Sequence, residues 1–105
     1  MKYPAYVYVI TLEATGKQYV GLSSNVRRRI SQHRSALRRG SHPVEDMQTD
    51  YNRAGGSISF CILEEVRTAA ERCKEFKWQL LLKTLERNKG YNYKDPVTRW
   101  CLPIP

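Results

Sequence analysis

Residues 6–21, Tyr6-Val-Tyr-Val-Ile-Thr-Leu-Glu-Ala-Thr-Gly-Lys-Gln-Tyr-Val-Gly21 (YVYVITLEATGKQYVG), are two extended runs joined by a turn. The first run, from Tyr3 to Leu12, is rich in aromatic and β-branched residues, the types that pack well on a pleated surface. Glu13 to Lys17 supplies a Gly-containing turn, and Gln18 to Gly21 resumes the extended pattern, so the stretch reads as a β-hairpin. Period-2 alternation places Tyr6, Tyr8 and Ile10 on one face of the first strand and Val7 and Val9 on the other.

Downstream the period changes to that of a helix. Ser24 or Asn25 is a suitable N-cap, the stripe Val26, Ile30, His33 and Leu37 recurs at helical spacing, and Gly40 is a natural stop. Arg29 precedes His33 by one turn, so the two side chains point the same way. Pro43 suits the first turn of a shorter helix with the apolar seam Val44, Met47 and Tyr51, ended by Gly55-Gly56. Ser57 to Leu63 alternates as a third strand, with Ile58, Phe60 and Ile62 on one face and Glu64-Glu65 at its end. Thr68 or a neighbour opens the longest expected helix, reaching about Arg87, with Cys73, Phe76, Leu80 and Leu81 as its stripe and Glu75 and Trp78 beside it. After Gly90, the segment around Tyr91 and the tail from Trp100 read as loop and terminal packing. The order ββααβα predicts an α/β chain of the α+β type, a small antiparallel sheet flanked by helices.

A chain of 105 residues bounds this to one domain, 1–105, with a modest core. With 41% hydrophobic and 27% charged residues, the composition is that of a folded protein. Eighteen Lys and Arg against ten Asp and Glu give a net charge of +8, and the pI near 9.7 favours a polyanionic partner, nucleic acid first. The charge is a patch: from Ala14 to Val44 there is no acidic residue, while Lys17, Arg27, Arg28, Arg29, Arg34, Arg38 and Arg39 all fall there. No apolar run approaches the roughly 18 to 20 residues that span a bilayer, and no lipid signal is readable, so a membrane is not an expected partner. Cys61, Cys73 and Cys101 are odd in number and form no C-x-x-C pair, which indicates free thiols, and a reducing cytoplasm is the expected setting.

Cleaving a phosphodiester needs an activated oxygen nucleophile, compensation for charge growing on the phosphate, and help for the leaving oxygen. Tyr8 and Tyr19 on paired strands, Arg29 and His33 on one helix face, and Glu75 on the last helix are residues of the right types. The set Tyr6-Val-Tyr8, Tyr19-Val-Gly21, Arg29, His33, Glu75 and Gly90-Tyr-Asn92 resembles the GIY-YIG nuclease family in order and spacing. Leu37 to Pro43, Met47 to Gly55 and Phe60 to Val66 are similar to the phage-type homing endonuclease branch.

The resemblance implies a three-stranded antiparallel sheet with flanking helices and divalent-metal-dependent hydrolysis of DNA, with Mg²⁺ or Mn²⁺ as cofactor. It assigns Tyr8, Tyr19, Arg29, His33 and Glu75 as catalytic, Glu75 as metal ligand and Asn92 as a supporting residue. Lys17, Arg27, Arg28, Arg34 and Arg38 are expected to bind phosphates rather than perform chemistry. Which of Tyr8 and Tyr19 activates water stays open. Tyr6 and Leu22 depart from the family pattern, Tyr6 replacing the glycine that opens the first motif. Glu71 rivals Glu75 from four residues upstream; Trp78, matching the bulky residue after the family's glutamate, favours Glu75. One active site acts on one strand at a time, so double-strand cleavage would require sequential nicks or a homodimer, and the expected activity is either of low sequence specificity or directed by a separate DNA-recognition partner. The alternative reading is a non-catalytic nucleic-acid-binding module on the same fold.

Overall fold

The computed structural model describes residues 1–93, arranged as β1 (Ala5–Leu12), β2 (Gln18–Ser23), α1 (Val26–Arg39), α2 (Glu45–Ala54), β3 (Ile58–Val66) and α3 (Cys73–Leu81). The strands form one antiparallel sheet in the order β2-β1-β3. β1 lies in the centre because it is apolar on both faces. Tyr8, Ile10 and Leu12 pack with Val26, Ile30 and Leu37 of α1 and Met47 of α2. On the other face Ala5, Val7 and Val9 join Val20 and Val66, with Trp78 and Leu82 from the α3 region against them. The alternation read from the hairpin is therefore the division between two cores.

α1 follows its sequence signals. The Asn25 side chain accepts from the Arg28 N–H at 3.1 Å, the stripe Val26, Ile30, His33 and Leu37 is buried, and Gly40 closes the helix. α2 begins at Glu45, so Pro43 lies before the helix rather than in its first turn and Val44 occupies the N-cap position without a side-chain cap; the helix ends at Gly55, and Met47 is fully buried.

Three expectations fail in the second half. Glu64-Glu65 does not end β3, which runs on to Val66 across a bulge opposite Val7 and Tyr8. The bulge turns Glu64 toward α3, where Trp78 Nε1 donates to Glu64 Oε1 at 2.9 Å and Lys74 lies 3.3 Å from Oε2. Lys77 and Trp78 together hold the Glu64 carboxyl down at about 2. Phe60 and Ile62 share a face as expected but remain 42% and 52% exposed, since β3 is an edge strand. The long helix from Thr68 to Arg87 is replaced by a 3₁₀ turn (Ala69–Arg72) and the nine-residue α3, so α1, with 14 residues, is the longest helix. The expected stripe does not form the inward face of α3: Cys73, Leu80 and Leu81 are exposed, while Gln79 is buried and Trp78 packs inward.

After α3 the chain turns through Lys83, at φ 60°, and returns along β2. Gln18 bridges Gly90, and the Asn92 side chain pairs with both backbone groups of Val20, at 2.8 and 3.0 Å. Tyr91 is thus a core residue rather than loop periphery. Cys61 and Cys73 are free; the tail with Trp100 and Cys101 lies outside the described residues. No described helix is long and apolar enough to cross a membrane.

Candidate active site

Register brings the first two tyrosines together. Tyr8 of β1 pairs with Gly21 of β2, and Ile10 pairs with Tyr19. The Tyr8 ring lies directly over Gly21, where a Cβ would collide with its hydroxyl, so this glycine is required by a side chain on the neighbouring strand. Gly90 has the same need for a different reason: a Cβ there would collide with the backbone of Thr84.

The Tyr8 hydroxyl lies 3.0 Å from His33 Nε2, His33 Nδ1 lies 2.7 Å from His42 Nε2, and His42 Nδ1 accepts the Val44 N–H at 3.1 Å. That last bond sets the direction of the chain. A nitrogen accepting from a backbone amide carries no proton, so neutral His42 is protonated on Nε2 and donates to His33 Nδ1. His33 in turn is protonated on Nε2 and donates to the Tyr8 oxygen, leaving the Tyr8 proton free to point elsewhere. Both rings stay neutral: burial, then His42 and Arg29, lower His33 to about 4, and burial lowers His42 as well. Gln48 holds the arrangement from α2, accepting from the His42 N–H at 2.9 Å and donating to the Leu37 carbonyl at 2.9 Å.

Tyr8 is 1% exposed. Burial raises its pKa above the ordinary phenol value, Tyr19 adds to the rise, and Arg29 opposes it. Tyr19, half-buried, meets the His33 ring edge-on at 5.5 Å between centroids. It lines a concavity of about 280 Å³ beside β2, together with Glu75, Gln79, Asn92 and Glu45. Burial pushes the Glu75 carboxyl up to about 7, against the pull of Arg72. A second concavity of about 210 Å³ holds Arg29, Gln32, His33, Arg39 and His42, and Pro43 borders both.

Tyr8, Tyr19, Arg29, His33 and Glu75 thus come from four elements to one side of the molecule. Glu71 is occupied elsewhere: it accepts the Arg67 N–H at 2.8 Å and pairs with Lys74 at 3.4 Å. Asn92 has both side-chain groups engaged by Val20 and holds β2, with Tyr19, against the returning chain. Lys17 stands apart from the site, 3.7 Å from Asp50 and over the Tyr91 ring. Arg27 and Arg28 are exposed on α1, and Arg34 and Arg38 line a separate concavity next to Tyr51. His42 and Gln48 escaped the sequence reading. Their signal was a second histidine nine residues after His33, directly before the proline that precedes α2.

The fold is similar to that of solved structures. The catalytic domain of intron endonuclease I-TevI, solved as a mutant, superposes with a TM-score of 0.73 at 25% identity, over 86% of this chain and 93% of that one. A further structure of the catalytic domain of homing endonuclease I-TevI gives 0.72 at 25% identity, over 83% and 95%. No curated protein sequence matches. The model of the GIY-YIG catalytic domain matches residues 4–92, nearly the whole of the described structure. With the motif tyrosines, Arg29, His33 and Glu75 gathered at one site, the chain belongs to the GIY-YIG catalytic domain family.

Proposed function

We propose that this protein is a divalent-metal-dependent DNA endonuclease hydrolysing phosphodiester bonds at the site between β2, α1 and α3. The observation that carries this reading is the convergence of two phenols, a guanidinium, a neutral imidazole and a semi-buried carboxylate around adjoining concavities.

Of the two phenols, Tyr19 faces the open concavity and Tyr8 is sealed behind it. Tyr19 therefore orients the attacking water. Tyr8 keeps its own proton, since burial and Tyr19 outweigh Arg29, and, held by the hydrogen bond from His33, it braces the site behind Tyr19, while the proton of the attacking water leaves through the open concavity. In the resting protein His33 donates to Tyr8, so it orients the phenol and does not remove its proton. Arg29 is exposed beside His33 and neutralises charge growing on the phosphate, with a fork geometry that lysine lacks.

Glu75 suits a hydrated cation. Among the described residues no three His, Cys, Asp or Glu cluster as a cage, and a single carboxylate on a concavity of about 280 Å³ leaves room for the several waters that Mg²⁺ keeps. Mg²⁺ or Mn²⁺ bound there would supply charge stabilisation for the phosphate and the departing oxygen.

The test is supercoiled plasmid incubated with the protein and Mg²⁺, with EDTA as control. Nicking or cleavage that EDTA stops is the expected result. Arg29→Ala should lower kcat by about 10²- to 10³-fold, the loss seen for a preorganised donor. Glu75→Ala should abolish turnover while the protein stays folded and binds DNA. Undiminished cleavage by folded Glu75→Ala would overturn the metal assignment, and DNA binding by the unaltered protein without any turnover would establish the non-catalytic module instead.

A further inference from the structure

Six arginines lie on α1: Arg27, Arg28, Arg29, Arg34, Arg38 and Arg39, all exposed. Among the described residues none of them forms an ion pair with a carboxylate, whereas Lys17, Arg67, Lys74 and Lys77 each do. No acidic residue occurs between Ala14 and Val44 to neutralise them. At 3.6 residues per turn the six sort by direction. Taking the buried line Val26, Ile30, His33 and Leu37 as inward, Arg29 and Gln32 fall on one flank, and Arg27, Ser31, Arg34 and Arg38 fall on the other. Arg28, Ser35 and Arg39 point outermost between them, Arg39 on the side of Arg29.

The surroundings confirm two separate flanks. Arg29, Gln32 and Arg39 wall the concavity that holds His33 and His42. Arg34 and Arg38 wall a different one, of about 240 Å³, with Tyr51 and Ser57. A single strand would need only the first. Two basic flanks on either side of one helix suit a duplex, because an α-helix of about 10–12 Å diameter matches the roughly 12 Å major groove. A membrane surface is a poor fit, since the apolar face of α1 is buried in the core.

We propose that α1 seats in a groove of duplex DNA, with the strand to be cut along the Arg29–Arg39 flank and phosphates of the uncut strand along the Arg34–Arg38 flank. This rests on the nuclease reading for its naming of the cut strand. Arg39 is about 15 Å along the helix from Arg29, far enough to reach a phosphate other than the one that Arg29 serves. It holds the cut strand away from the scissile phosphate, and its role was not apparent from the sequence.

Binding separates this proposal from the fate of the nuclease reading. Affinities for a 20-base-pair duplex and for one of its strands are measured in EDTA by anisotropy, across a salt series, with circular dichroism to confirm folding. Arg34→Gln/Arg38→Gln should weaken duplex binding by about tenfold and lower the salt slope by about 0.9 per lost contact, with less than about a twofold effect on the single strand. Arg39→Gln should weaken both ligands. In cleavage assays with Mg²⁺, the Arg39→Gln defect should vanish on substrates trimmed to the nucleotides adjoining the cut on the side that Arg39 contacts. Equal weakening of both ligands by the Arg34/Arg38 pair, or no effect on either, overturns the proposal. Absence of cleavage alongside the expected binding pattern overturns the nuclease reading and leaves the duplex assignment standing.

Discussion

His33 and His42 owe their tautomers to one backbone amide. Because the Val44 N–H occupies His42 Nδ1, every later hydrogen bond in the chain points toward Tyr8. His42 touches no reacting atom in this reading and acts through His33. Replacing it by Leu removes the donor on His33 Nδ1, so His33 can adopt the other tautomer and accept the Tyr8 proton. Loss of an orienting partner of this kind costs about 10- to 100-fold. His42→Leu is expected to lower kcat by that amount with KM little changed, and His42→Gln, which keeps a donor, to recover part of it. Imidazole ¹⁵N shifts of His33 check the tautomer directly and would not change if His42 served packing alone. The tyrosines give a second comparison at this scale: Tyr19→Phe should reduce kcat on plasmid at least as much as Tyr8→Phe, because only Tyr19 faces the open concavity. A larger loss in Tyr8→Phe would return water activation to Tyr8.

At the scale of elements, β2 is held in place from both sides. Tyr8 sits over Gly21, and the Asn92 amide takes the place of a further strand beside Val20. Gly21→Ala forces the Tyr8 ring to move, so its activity should fall more than its stability. Asn92→Leu leaves the buried Val20 N–H and C=O without partners, at about 1–3 kcal/mol each. Its urea midpoint should drop accordingly, and a wild-type midpoint would show that water replaces the amide. The hairpin, α1 and α2 were legible because their signals are local: alternation, an Asn cap, a four-residue stripe and glycine stops. β3 and α3 were not. Glu64 reads as a strand end only if solvent awaits it, and here Lys74, Lys77 and Trp78 do. The apolar Leu80 and Leu81 suggested an inward face, but the chain turns at Lys83 before a longer helix could bury them.

Over the whole molecule, charge and pH act together. His33 is lowered from 6.5 to about 4 by burial, His42 and Arg29, and His42 is lowered in the same direction. Above pH 6.5 both histidines are neutral folded or unfolded, and they contribute nothing to the pH dependence. Between about 6.5 and about 4 the unfolded chain binds protons that the folded chain refuses, so stability falls as pH falls. His33 contributes a slope of up to about 1.4 kcal/mol per pH unit in that window, and His42 acts in the same direction. Glu75, pushed up to about 7 by burial, is protonated in the folded protein over much of the same range and opposes that fall. The histidine contribution is therefore read as a difference: the urea midpoint of His33→Gln should gain on that of the wild type as pH falls from about 7 to about 5. An unaltered slope in His33→Gln would show that His33 is not held neutral.

The sequence by itself determined the hairpin, the basic helix and the family, and named the candidate site residues, since strand alternation, helical spacing and motif order are carried by neighbouring residues. It also marked the positive charge that suits DNA. Only the tertiary structure decided which charged and polar groups remain available to a substrate. Lys17 is paired with Asp50, Asn92 with Val20 and Glu71 with Arg67 and Lys74, while Arg39 shares a wall with Arg29, and His42 directs His33. The physical reason is range. A residue's intrinsic chemistry is fixed where it is encoded, but its hydrogen-bond partner, burial and protonation depend on segments that meet only after the chain has folded.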